Sequence, residues 1–136
     1  MKDKAIGVFD SGVGGLTVTK ALSELLPHEN LVYFGDTAHL PYGDKSPEAI
    51  QNYSLGIAKY LIESHQVKAI LVACNSASAV AFEVLQEEFG KVVPIFNVID
   101  PVARYIGLEA SFSKVGVIGT RATVSSKTYT NKIKAI

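Results

Sequence analysis

Short apolar runs alternate with helix-length amphipathic stretches along the whole chain, and this alternation limits the fold more than any other feature. Residues 6–9, 31–34, 69–73, 93–99 and 115–118 read as strands. Helical patterns lie between them at 16–26, 47–65, 76–89 and 101–110, with a frayed one after 122. The second helix is the best marked. Ser46 stands at its N-cap, Pro47 in its first turn, and Ile50, Tyr53, Ile57 and Leu61 along one face. Asp100-Pro101 starts the next helix in the same way. The sequence therefore predicts an α/β fold with a mainly parallel sheet, right-handed crossovers and helices on both sides. Strand order is not contained in the pattern.

The run at 69–73 is apolar without interruption, as a parallel strand is when both of its faces are covered. It ends at Cys74, the only cysteine in the chain, and a helical pattern follows with Ala77, Val80, Ala81, Val84 and Leu85 on one face. Cys74 is thus predicted at the carboxyl end of a central strand where a helix begins. Open α/β sheets place their ligands at that edge. The helix amino terminus, with unpaired N–H groups and a partial positive charge, favours a thiolate over a thiol. The plainer reading is a cysteine filling core space.

Other loops reach the same rim. The first strand runs into Asp10-Ser11-Gly12-Val13-Gly14-Gly15, glycine-dense enough to turn sharply and to present N–H groups as an anion-binding nest. A dinucleotide site with Asp36 on a ribose fits badly. Thr17 holds the third glycine position, and Asp10 would set a carboxylate beside a pyrophosphate. A tight turn capped by Asp10 would need no ligand. The loop at 35–46, long for its class, carries Pro41-Tyr42-Gly43, read as a turn with an aromatic lid. The expected fifth strand ends in Gly119-Thr120-Arg121-Ala122-Thr123, small and rich in hydroxyls. Carboxylate, thiol, hydroxyls and N–H groups on one rim suit a small zwitterionic or carboxylate ligand.

Composition removes several classes. The chain of 136 residues suffices for one domain with a real core. Its 13 basic and 13 acidic residues balance, so no global field points to nucleic acid or a membrane surface. A single cysteine excludes an internal disulfide and suits a reducing cytoplasm. His28, His39 and His65 lack ligand spacing, so no metal is expected. Beyond Glu109 the charged residues are all basic, which reads as a solvated helix face. The chain ends inside a weak helical pattern at 128–136, with no Gly or Pro to stop it, and reads as cut.

Phe9-Asp10-Ser11-Gly12-Val13-Gly14-Gly15-Leu16-Thr17-Val18, then Pro41-Tyr42-Gly43, then Ala73-Cys74-Asn75-Ser76-Ala77 resemble, in order and spacing, the amino-terminal half of the glutamate racemase family. The resemblance covers essentially the whole chain. It implies a three-layer sandwich forming the first half of a two-domain, pseudo-symmetric racemase fold. The first domain would span 1–98, completed by helices returning from the end of a longer chain, and 99–136 would open the second. It further implies a cytoplasmic isomerase without cofactor that supplies D-glutamate for peptidoglycan, homodimeric at full length. Two cysteines on opposite faces of the substrate α-carbon would move the proton. Cys74 would be the first of the pair, the one associated with the D-enantiomer. Asp10 and Ser11 would contact substrate and help set the protonation of Cys74, Tyr42 and Gly43 would line the pocket, and Asn75 with Ser76 would bind its carboxylate and amino groups. The family often has threonine where this chain has Ser76.

An α-proton beside a carboxylate is a very weak acid, and no pyridoxal lysine or metal motif is present to absorb the charge of the carbanion. Such a site must supply hydrogen bonds to the developing enediolate and exclude water. The family's second cysteine, in a Cys-Thr-His motif, has no counterpart in this sequence. A different class of function is a one-domain module that binds carboxylate or phosphate in the 12–15 nest without chemistry.

Overall fold

The computed structural model describes residues 3–108 and 111–136. Its sheet has four strands, all parallel, in the order β2-β1-β3-β4. These are β1 (Ile6–Asp10), β2 (Leu31–Gly35), β3 (Ala69–Val72) and β4 (Ile95–Asn97). Helices α1 (Leu16–Leu25) and α2 (Pro47–His65) make the first two crossovers. The third uses α3 (Asn75–Val80) and α4 (Phe82–Phe89). Three helices follow β4: α5 (Ile99–Leu108), α6 (Arg121–Ser125) and α7 (Thr128–Lys134).

Sequence periodicity and burial agree on one face of the sheet. Phe9, Ile70, Val72 and Ile95 lie there in register and are buried against Ile50, Ile57 and Leu61 of α2 and Leu85 of α4. Full burial of each such side chain stabilises the fold by about 1.5–3 kcal/mol. Gly7 belongs to this face because a Cβ there would stand 3.1 Å from Leu61 and 3.2 Å from Val67. The α2 helix begins as expected, with Ser46 Oγ accepting from the Ala49 N–H at 3.2 Å.

The other face is thinly covered. Right-handed crossovers put α1 opposite α2 and α4, since the chain steps outward from β1 to β2 and then back across to β3 and β4. No residue of α1 is buried. Phe96 stays 57% exposed on β4.

Four sequence expectations are corrected. The helix expected at 76–89 breaks at Ala81 (φ −111°, ψ −13°). There the Ala79 and Val80 carbonyls accept sideways, from Thr128 Oγ1 and Gln51 Nε2, each at 2.8 Å. The strand expected at 93–99 is only Ile95–Asn97, and the next helix starts at Ile99 rather than Asp100-Pro101. Asn97 Oδ1 captures the N–H groups of Ile99 and Asp100 at 2.9 and 2.8 Å and so turns the chain into α5. The fifth strand at 115–118 does not form. That segment has no strand partner among the described residues, and Ile118 is 97% exposed. A strand exists only with a neighbour to complete its hydrogen bonds. The end of the helix expected at 101–110 falls on residues outside the described ones.

Among the described residues, no helix is long and apolar enough to cross a membrane.

Candidate active site

The crossover from β1 leaves on one face of the sheet and that from β3 on the other, so a crevice opens between their carboxyl ends. Asp10 closes β1 and Cys74 follows β3, on the two sides of that crevice. Both are buried.

Asp10 Oδ2 accepts the N–H of Gly15 at 2.9 Å and that of Gly12 at 3.2 Å. The carboxylate thus fills the glycine turn from within, which corrects the expectation of an open anion nest: two of its N–H groups are already engaged. Gly15 must be glycine, since a Cβ there would lie 2.6 Å from that of Asp10. The turn is also held from outside. Gly35 lets the Gly12 carbonyl approach where a Cβ would sit 2.2 Å from its oxygen, and the Tyr33 hydroxyl donates to that oxygen at 3.1 Å.

Cys74 is the N-cap of α3, and its Sγ accepts the Ala77 N–H at 3.4 Å. Its pKa is nevertheless raised. Burial is the largest cause, the Asp10 charge adds to it, and the Ala77 N–H together with the hydroxyl and N–H of Ser11 pull the other way. The helix amino terminus thus favours the thiolate through the Ala77 N–H, and burial opposes it.

Tyr42 is no lid. It is 1% exposed, and its hydroxyl donates to Asp36 Oδ2, which with burial drives its pKa far upward. Asp36 also meets His39 Nδ1, at 2.9 Å from Oδ1, and the His39 ring stacks on Tyr53 with centroids 4.0 Å apart. Asp36 thus anchors the loop that carries Tyr42 and Gly43. Gly43 is buried beneath Thr120, with room for no Cβ: one would stand 2.6 Å from that of Thr120.

Ser76 and Asn75 occupy the first turn of α3. Ser76 is buried, and its hydroxyl lies 2.7 Å from Thr120 Oγ1, which in turn donates to Thr123 Oγ1 at 3.1 Å. Asn75 is exposed and its Oδ1 accepts from Tyr129 at 2.6 Å. Asp10, Ser11 and Cys74 therefore meet directly, Gly43 and Ser76 join through Thr120, and Asn75 stands at the edge. Sequence reasoning flagged the 119–123 turn but did not single out Thr120 or Thr123. Their signal was the hydroxyl pair three residues apart at a helix start. Tyr33 and Tyr129 gave none, because nothing local marks a tyrosine whose partner is distant in the chain.

A groove of about 460 Å³ adjoins the rim, lined by Asn75, Thr120, Thr123 and Tyr129 at one end and by Val102, Ile106 and Val115 toward the other. A larger one of about 740 Å³ lies at the amino ends of β1 and β3, remote from Cys74. Among the described residues its lining brings no thiol or hydroxyl cluster to Lys4 and Lys68, so the rim is the stronger candidate site.

A parallel open sheet with a buried thiol and a carboxylate across its switch point defines an α/β protein whose candidate ligand site lies at that edge. The family model for Asp/Glu/Hydantoin racemase matches residues 6–136, and the chain belongs to that family. It is 50% identical over 133 residues to the glutamate racemase of Geobacter metallireducens, covering 98% of this chain and 48% of that protein. Glutamate racemase from Thermus thermophilus, solved in complex with β-chloro-D-alanine, superimposes with a TM-score of 0.89 at 49% identity, over 97% of this chain and 49% of that one. The enzyme from Francisella tularensis, solved in complex with D-glutamate, gives 0.88 at 44% identity, over 99% of this chain and 49% of that one. The chain thus spans about half the length of the relatives it matches.

Proposed function

We propose that this chain carries one of the two proton-transferring halves of a glutamate racemase, and that Cys74 serves one face of the substrate α-carbon. The observation that supports this most strongly is the meeting of Cys74, Ser11 and Asp10 at the sheet's switch point. A thiol is suited to the work because its ordinary pKa of about 8.5 is close to neutrality. Burial favours the thiol form of Cys74. Substrate changes that balance: an α-ammonium placed near Asp10 offsets the carboxylate charge that opposes the thiolate. The thiolate then accepts the α-proton, and electron density moves into the α-carboxylate. Hydrogen bonds stabilise the enediolate, and Ser11, Asn75, Ser76 and Thr120 are the donors within reach of the rim. Tyr42, fixed by Asp36, and Gly43 form the wall.

Inversion needs a proton delivered from the opposite face, which Cys74 cannot reach. A second thiol in a facing domain supplies it in this reading. Residues 1–98 then form the first domain and 99–136 the start of the second, in a cytoplasmic, cofactor-independent, homodimeric enzyme that makes D-glutamate for peptidoglycan. The 136-residue chain alone does not racemise glutamate. Circular dichroism of L- and D-glutamate, with the chain alone and with a separately expressed carboxyl-terminal half of a relative, tests this. Inversion only in the mixture agrees with the proposal; inversion by the chain alone overturns it. The non-catalytic module is not favoured, because Asp10 already occupies the turn where an anion would bind.

A further inference from the structure

The Asp10–Gly15 turn is useful to Cys74 only if Ser11 stays in place, and the residue holding it from outside lies on a different strand. Val8 pairs with Tyr33 and Asp10 with Gly35, so by strand alternation Asp10, Tyr33 and Gly35 share one face of the sheet. The Tyr33 ring runs along that face, its Cε1 3.2 Å from where a Gly35 Cβ would stand, and its hydroxyl reaches the Gly12 carbonyl at 3.1 Å. The two peptide groups flanking the Gly12 Cα are thereby fixed from two directions. The N–H on one side goes to Asp10, and the C=O on the other accepts from Tyr33. Ser11 is the next residue back.

We propose that Tyr33 is a positioning residue for Cys74: its bond to the Gly12 carbonyl holds Ser11 where the serine hydroxyl and N–H meet the sulfur. Two further observations agree. Both Ser11 groups favour the thiolate, against burial and the Asp10 charge. The Tyr33 phenol, itself pushed upward mainly by burial, also feels Asp10 and Cys74, so the three groups are near one another. Among the described residues, the titratable groups facing Cys74 are Asp10 from β1, Tyr33 from β2 and Tyr42 from the 42–44 turn. None is cationic, so the Ser11 and Ala77 donors are what oppose desolvation. Loosening Ser11 shifts the balance further toward the thiol.

The inference rests on the role proposed for Cys74, but its test reads the sulfur directly and needs no racemisation. Iodoacetamide alkylation of the 136-residue chain is followed from neutral to alkaline pH, with folding checked by circular dichroism. Tyr33→Phe keeps the ring and removes only the donor. It is expected to alkylate about 3–10-fold more slowly at a fixed pH below the thiol's titration, the size of one weakened hydrogen bond. In a Ser11→Ala background, where only the N–H of residue 11 is left to misplace, the same change is expected to slow alkylation by a smaller factor, since Tyr33 acts through Ser11. Superimposable profiles for the parent and Tyr33→Phe overturn the inference, as does an equal slowing with and without the Ser11 hydroxyl. If Tyr33→Phe does not fold, 3-fluorotyrosine placed at position 33 keeps the shape and strengthens the donor. Faster alkylation then supports the inference, and unchanged or slower alkylation overturns it. A failed inversion assay would instead count against the racemase reading and leave this result standing.

Discussion

Asp10→Asn separates the two effects of the carboxylate, which act in opposite directions. The amide keeps an acceptor for the Gly15 and Gly12 N–H groups, now at 2.9 and 3.2 Å from Oδ2, but loses the charge. Hydrogen bonds to charged groups contribute about 1.5–3 kcal/mol against 0.5–1.5 for neutral pairs, so the loss is about 1 kcal/mol per bond and about 2 for both. The 3.2 Å bond is the weaker, which puts the cost at about 1–2 kcal/mol. For a chain of this length that is a fall in melting temperature of roughly 3–10 °C. The thiol responds with the other sign. The Asp10 charge raises the Cys74 pKa, so neutralising it lowers that pKa and speeds alkylation at neutral pH. Thermal melts and iodoacetamide rates on the same preparation give both numbers. A variant that melts lower and alkylates more slowly refutes the reasoning, because the carboxylate would then matter to Cys74 as a scaffold and not as a charge.

Two buried serines should respond differently to loss of their hydroxyls. Ser54 Oγ has no hydrogen-bond partner among the described residues, so Ser54→Ala is expected to leave the melting temperature unchanged or raise it, with up to about 0.5 kcal/mol from helix propensity. Ser78 Oγ donates to the Val72 carbonyl at 3.1 Å and accepts from the Val98 N–H at 3.4 Å, so Ser78→Ala should cost about 1–3 kcal/mol in the same melts. The Asp100 carboxyl has a lowered pKa despite burial pushing it up, because Lys132 and the Asn97 amide stabilise its charge. Its contribution is present above the ordinary carboxylate pKa of about 3.9 and is lost as pH falls through the lowered value. The group is partly exposed, so less than about 1 kcal/mol is involved. Acid titration followed by hydrogen exchange in α7 should show the loss, and Lys132→Met should remove it.

Alternation of apolar runs with helical patterns was enough to place four strands and the helices between them, because each of these carries its own period and its own caps. Ser46 and Pro47 mark α2 by chemistry that acts within one turn. Where the sequence misled, the cause was a partner distant in the chain. The break at Ala81 depends on Gln51 and Thr128, and residues 115–118 have strand-like residues but no neighbouring strand among the described residues. The site shows the same division. Asp10, Ser11 and Cys74 were legible because strand ends in a parallel sheet share an edge. Tyr42 was misread as a lid since its burial is set by Asp36 and α2 around it. What opposes the thiolate at Cys74 is hidden for a related reason: helix position is visible in a sequence, and depth of burial is not.

In the proposed mechanism Cys74 is one of two bases on opposite faces of one carbon. Proton exchange in deuterated water tests it most directly, using the chain complemented with a separately expressed carboxyl-terminal half and starting from a single glutamate enantiomer. At early times, before the reverse reaction accumulates, NMR should find solvent deuterium at the α-carbon of the product enantiomer, while recovered substrate keeps its protium. Cys74→Ala in the same mixture should abolish inversion. Deuterium entering substrate and product equally, or inversion that survives Cys74→Ala, would contradict the claim.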